Sequence, residues 1–328
     1  MTAITKYEDN QIANVENFGD SVIEKFIASR HGSATTQKTY RNACRVLVNY
    51  FASKGIAAPT TADVDVFINS LRNTNPKKSP STIRLYVTVT KMLFAYLGKK
   101  GIYYDVAADL EPLKLRKSTT HSKDALESEQ AKKLLNSIKE NKIEDKLVTR
   151  RDKAIIALCL QAGLRTVEVA RADVKDLHED DGFYLLDVQG KGRLTKDAKV
   201  KVALPVARLI LSYLELRGCY DKLKNMDAPL FASTSNNNSK FGNRYSEQAI
   251  GKMIKARMKA CGINSTRITA HSCRHYCATT AIEAGVDIRE VSAMLRHSSI
   301  ITTTTYLHDM SVKKRRAELA VADVLFGE

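Results

Sequence analysis

TAHSCRHYCATTAIEAGVDIREVSAMLRHSSIITTTTYLH, residues Thr269 to His308, is the stretch around which the chain is organised. Ala278, Ile282, Val286, Val291, Met294 and Leu295 recur in it at helical spacing. Residues three apart on a helix share a face, so His271 and Arg274 address one target. Gly285 predicts a helix stop, and Val286-Asp287-Ile288 starts a second helix that delivers His297. Tyr306 follows a run of four threonines. A helical hairpin therefore gathers two imidazoles, a guanidinium and a phenol. A phosphodiester suits that set.

The chain has 328 residues, enough for two domains with separate cores. Its apolar fraction of 44% is ordinary for a soluble protein. No apolar run approaches the ~20 residues of a membrane span. The N-terminus, MTAITKYEDNQIANVENF, lacks the basic and apolar regions of a secretory signal. Six cysteines without small-scaffold spacing predict reduced thiols and a cytoplasmic protein. The formal charge is +16, and it is not confined to one end. Residues 1–120 hold 17 basic and 10 acidic side chains, against 35 and 26 in the remainder. Excess positive charge on both parts is the footprint of a clamp on nucleic acid.

Taken in order, residues 1–14 read as a polar, disordered N-terminus. Four helices follow over 15–101: VENFGDSVIEKFIASR, TTQKTYRNACRVLVNYFASKG, ADVDVFINSLRN and TIRLYVTVTKMLFAYLGKKG. Thr60 or Thr61 caps the third, and Ser79-Pro80-Ser81 opens the fourth. Short connections make them a small α bundle. Lys38, Arg41, Arg45, Lys77, Lys78, Arg84 and Lys91 supply its expected basic, DNA-facing side. Residues 102–124 read as a linker, ending in the basic run LKLRKSTTHSK that suits a phosphate backbone.

The second domain, 125–328, opens with SEQAKKLLNSIKEN and RRDKAIIALCLQAG, the latter stopping at Gly163. Arg165 heads the next helix, TVEVARADV. FYLLDV and AKVKVALP, joined through GKGR, predict a small antiparallel sheet with Val200, Val202 and Leu204 on one face. Helices from Val206, Ser246, Thr269, Asp287 and Ser311 complete a mainly α domain. His178, in LHEDDG, reads as a loop residue. His271 and His275 with Cys273 and Cys277 also have metal-ligand spacing, but zinc sites usually draw on more than one element. The two pairs point different ways, so no metal is expected.

The segments AGLRTVEVARADVKDL, GKG, HSCRHYCATTAIEAGVD and LRHSSIITTTTYLH resemble, in order, the signature boxes of tyrosine recombinases, the phage-integrase and Xer class. The likeness covers the second domain, and the N-terminal bundle resembles that family's SAM-like core-binding domain. It implies that Arg165 and Arg274 hold the non-bridging oxygens of the scissile phosphate. Tyr306 would be the nucleophile, forming a 3′-phosphotyrosyl link and freeing a 5′-hydroxyl. Lys191 would protonate that leaving oxygen, His271 would assist proton transfer at the tyrosine, and His297 would hydrogen-bond the phosphate. Lys196 and Lys199, on the same segment, compete for the acid role. Lys191 is preferred because the glycines beside it let it approach DNA closely.

The chemistry agrees with these roles. Guanidinium forks match phosphate oxygens bidentately. A phenol with pKa near ~10 needs an acceptor or a positive field before it attacks. One ester is traded for another, so no cofactor, metal or nucleotide is required. Two features depart from the family pattern. Arg296 stands where the family usually has Gly, and the segment GKGRLTKDAKVKVAL is longer than usual. Glu168 is read as orienting its neighbours in the pocket.

The resemblance further implies site-specific recombination on double-stranded DNA with an inverted-repeat core site. The expected assembly is a homo-tetramer joined by exchange of the C-terminal helix, 311–326. An accessory protein and the choice among integration, excision and resolution stay open. A nucleoid-associated, cytoplasmic location without membrane contact is expected. The competing readings are a type IB topoisomerase-like relaxing enzyme and a non-catalytic DNA-binding regulator.

Overall fold

The computed structural model describes residues 20–74, 77–110, 126–139, 146–190, 192–218, 227–234, 242–308, 324–325 and 327. The chain divides into two compact units, Met1–Lys117 and Ser118–Glu328. The fold is mainly helical, with an N-terminal four-helix region and a second unit carrying a small antiparallel sheet.

The first unit comprises α1 (Asp20–Ala28), α2 (Ala34–Ser53), α3 (Thr61–Arg72) and α4 (Pro80–Lys99). Serine and threonine side chains satisfy the free N–H groups of the opening turns. Ser33 accepts from the Thr36 amide, and Ser79 from the Thr82 amide just ahead of Pro80. Thr60 and Asp63 cap α3 reciprocally. Phe26, Leu47, Phe67, Phe94 and Leu97 form the centre of the core.

Residues 102–110, read from sequence as the start of a linker, pack on this bundle. Ala107 and Leu110 are buried in its core, and the Tyr103 hydroxyl donates to the Pro59 carbonyl at 2.9 Å. Three members of the expected basic face bond within the protein. Arg41 pairs with Glu24 at 2.5 Å, Arg45 with Asp20 at 3.1 Å, and Lys91 donates to the Leu110 carbonyl at 2.7 Å. Lys38 and Lys77 are exposed.

The second unit contains α5 (Ser128–Ser137), α6 (Lys146–Ala162), α7 (Thr166–Arg171), α8 (Leu204–Leu216), α9 (Glu247–Ala260), α10 (Ala270–Glu283), α11 (Ile288–Met294) and α12 (Ile301–His308). α6 is the hub. Ile155, Ile156, Leu158 and Cys159 are buried around its circumference. Its one buried ion cluster is well satisfied: Asp152 accepts from Arg151 at 2.8 Å and from Arg257 at 2.7 Å.

The sheet orders β1 (Leu177–Asp180), β2 (Phe183–Val188) and β3 (Ala198–Val202) side by side, all antiparallel. Leu186, Val188, Val200 and Val202 face inward, with Leu186 opposite Val200. Two sequence expectations need correction. Leu204 does not continue the inward face; it starts α8 and is 50% exposed. His178 lies in a strand, because Asp181-Gly182, both with positive φ, close a two-residue β1–β2 hairpin. α12 was also not expected as a helix. The tail helix expected from Ser311 falls almost wholly outside the described residues.

Candidate active site

Gly163 ends α6 with φ +58°, and a Cβ there would lie 2.7 Å from Leu295 Cδ2. That close approach brings the end of α6 against the end of α11. Arg274, on α10 and 1% exposed, fills the corner between them. Its Nη1 donates to the Gly163 carbonyl at 2.5 Å and its Nη2 to the Leu295 carbonyl. Its Nε is buried without a hydrogen-bond partner among the described residues.

Arg165 is the residue before α7, two positions beyond the glycine. Its amide and its Nη1 both donate to Glu168, at 2.9 and 2.8 Å. Glu168 is fully buried, and burial alone would raise its pKa. The charge and hydrogen bond of Arg296, then Arg165, outweigh burial and hold the carboxyl below its usual range.

α10 ends before Gly285, and Asp287 caps α11 by accepting from the Arg289 amide at 2.7 Å. After α11 the Arg296 amide donates to Ala293 and the His297 amide to Ser292, with Arg296 at φ 56°. This is a Schellman stop with arginine in the left-handed position. The stop turns His297 toward α12, where its Nδ1 pairs with Thr303 Oγ1 at 2.8 Å.

α12 is built from ITTTTYLH, a β-branched run with little helix preference. Tertiary contacts decide its state. Thr303 is buried on His297, and Tyr306 packs with Ala278, Val291 and Leu295. Threonines 304 and 305 bond back to the carbonyls of Ile301 and Thr302.

Tyr306 is 1% exposed. His297 stacks on one side of its ring with centroids 6.2 Å apart, and His275 meets it edge-on at 4.8 Å. Burial raises the Tyr306 pKa, partly offset by the charge of Arg274 and by a hydrogen bond to it. Burial, followed by Arg274, Arg165 and Arg296, pushes His297 down to about 4, so it is a neutral imidazole at pH 7. The same two causes, burial and the neighbouring guanidiniums, bring Arg274 to about 10. His271 is exposed on the first turn of α10.

The structure thus brings Arg165, Arg274, His297 and Tyr306 together, with His271 near enough for its charge to act on His297. Lys191 lies outside the described residues. Arg171 Nη1 holds the Gly190 carbonyl beside it at 3.0 Å. Lys196, the rival for the acid role, is committed elsewhere. Its Nζ donates to Asp173 and to Asp176, both at 2.5 Å. Burial lowers its pKa, but the two carboxylates outweigh that and raise it, making it a poorer acid. Lys199 is exposed on β3. His275, which the sequence offers only as a candidate metal ligand, is the further residue that the fold places against Tyr306.

Residues 124–312 match the phage integrase family, and residues 20–102 match the N-terminal SAM-like domain of phage integrases. The chain belongs to the phage integrase family. Its activity is tyrosine-type site-specific recombination, which cleaves and rejoins DNA strands. The recombinase is 29% identical to tyrosine recombinase XerA of Pyrococcus furiosus over 289 residues, 87% of this chain and 88% of the relative. Its fold is similar to XerH site-specific recombinase bound to palindromic difH substrate, with TM-score 0.66 and 20% identity over 92% of this chain and 84% of that one. A lambda integrase tetramer bound to a Holliday junction is similar at TM-score 0.62 and 16% identity, covering 91% and 78% of the two chains. Among the described residues, no helix is long and apolar enough to cross a membrane.

Proposed function

We propose that Tyr306 attacks the scissile phosphate of duplex DNA, forming a 3′-phosphotyrosyl link and releasing a 5′-hydroxyl. Arg165 and Arg274 hold the non-bridging oxygens, and neutral His297 hydrogen-bonds the phosphate. His271 assists proton transfer at the phenol, and Lys191 protonates the leaving oxygen. One observation carries this reading. Tyr306 lies within the charge of a buried arginine that still has an unused donor among the described residues, Arg274 Nε. A buried donor without a partner is costly, and a phosphate oxygen would satisfy it. Positive charge from three guanidiniums against one carboxylate favours an anion and a developing phenolate.

Each unit contacts an inverted-repeat core site, and four protomers act on two duplexes in the cytoplasm. Two observations support exchange of the tail 311–326 between protomers. An apolar groove of about 440 Å³ runs between α5, α6, α10 and α11, lined by Leu135, Leu160, Tyr276, Ala281 and Met294. Val324 and Leu325 of the tail are 86% and 68% exposed. A donated helix closing into a ring uses both surfaces.

A nicked suicide duplex tests the nucleophile. The wild-type chain should yield a covalent protein–DNA adduct on a denaturing gel. Tyr306→Phe should give none while keeping DNA affinity within about twofold, since only the attacking oxygen is lost. An adduct that persists in Tyr306→Phe overturns the assignment.

A further inference from the structure

Arg296 occupies a backbone position that glycine fills without strain, so its side chain must return something to be accommodated there. The side chain is well employed. Nη2 donates to Glu168 Oε2 at 2.8 Å, Nε approaches Oε1 at 3.5 Å, and Nη1 closes on the Met294 carbonyl at 2.6 Å. Glu168 uses the same two oxygens for Arg165: Oε2 takes its amide and Oε1 takes its Nη1. One fully buried carboxylate is therefore held by two guanidiniums.

We propose that Arg296 is a positioning residue for strand cleavage: it anchors Glu168, and Glu168 in turn fixes the guanidinium of Arg165. The proposal rests on the reading that Arg165 clamps the scissile phosphate. Without Arg296, the buried carboxylate has a single cationic side chain in direct contact. It then either draws Arg165 inward or takes a proton and releases it. Both outcomes misplace the fork, and bidentate phosphate recognition tolerates little misplacement. Position 296 thus trades an unstrained glycine turn for a second anchor on the pocket's only buried carboxylate among the described residues.

The test is single-turnover cleavage of the nicked duplex by Arg296→Gly, Arg296→Lys and Arg296→Gly combined with Glu168→Gln. Arg296→Gly should slow cleavage at saturating DNA about 10–100-fold, as for loss of other residues that orient a reacting group, with half-saturating DNA nearly unchanged. Arg296→Lys keeps the charge without the fork and should fall between. In the Glu168→Gln background Arg296→Gly should cost no further rate, and it should raise the melting temperature because glycine relieves the turn. If Arg296→Gly proves insoluble, Arg296→Lys in the two backgrounds gives the same comparison. A wild-type rate in Arg296→Gly, or an undiminished loss in the Glu168→Gln background, overturns the proposal. Absence of any adduct in the wild-type chain instead overturns the functional reading, and the positioning role with it.

Discussion

The imidazole of His297 lies almost parallel to the ring of Tyr306, planes 12° apart and centroids separated by 6.2 Å. Its Nδ1 is engaged with Thr303, one helical turn before that tyrosine. The His297 imidazole and the Tyr306 phenol are thus held together through α12. Burial and the neighbouring guanidiniums keep the ring neutral near pH 7.

That neutrality has a pH signature. The His297 pKa is depressed from 6.5 in the unfolded chain to about 4 in the fold. Between these values the unfolded state binds more protons, so this residue's contribution to stability falls as pH drops from 6.5 toward 4. His297→Gln should flatten that part of the melting-temperature profile. A duplex phosphate beside the ring offsets the arginine charges, so NMR titration in the DNA complex should give a higher pKa than in the free chain. An unchanged profile in His297→Gln would contradict the assignment.

Gly163→Ala strikes the same corner through the backbone. Its φ of +58° and the 2.7 Å approach to Leu295 leave no room for a methyl group. The expected loss is about 2–4 kcal/mol of stability from strain and displacement of Leu295. Cleavage should fall further than stability alone predicts, because the displaced carbonyls of Gly163 and Leu295 hold Arg274. Chemical denaturation and adduct formation measure the two effects separately.

Lys191→Ala and Lys196→Ala should separate cleanly. Loss of a general acid slows cleavage by roughly 10²–10⁴-fold. A substrate with sulfur at the 5′-bridging position needs no proton and should restore the rate of Lys191→Ala. Lys196→Ala should lower the melting temperature by removing a cation that bridges Asp173 and Asp176, with little effect on cleavage by folded protein. Sulfur rescue of Lys196→Ala alone would transfer the acid role.

Removing residues 312–328 should leave binding to one half-site nearly intact and abolish cooperative filling of paired half-sites. Band shifts on one-site and two-site duplexes distinguish these outcomes. A truncated chain that melts far lower, or loses single-site affinity equally, would mean the tail serves its own domain.

Apart from α12, the helices of both units are legible in the sequence, because apolar periodicity, serine and threonine caps and glycine stops are local signals. The ordered boxes around Arg165, His271, Arg274, His297 and Tyr306 also determined the family. The Asp181-Gly182 pair is a local turn signal of the same kind, and it places His178 in a strand and not in a loop. Tertiary structure alone decided what depends on distant partners. ITTTTYLH becomes a helix because Tyr306 and Thr303 are buried against α10 and His297, not because threonine favours helices. Arg296 accepts a left-handed turn because a buried carboxylate 128 positions away takes its charge. Such pairings leave no periodic trace in a sequence, since they arise only when the end of α6 and the end of α11 close on Arg274.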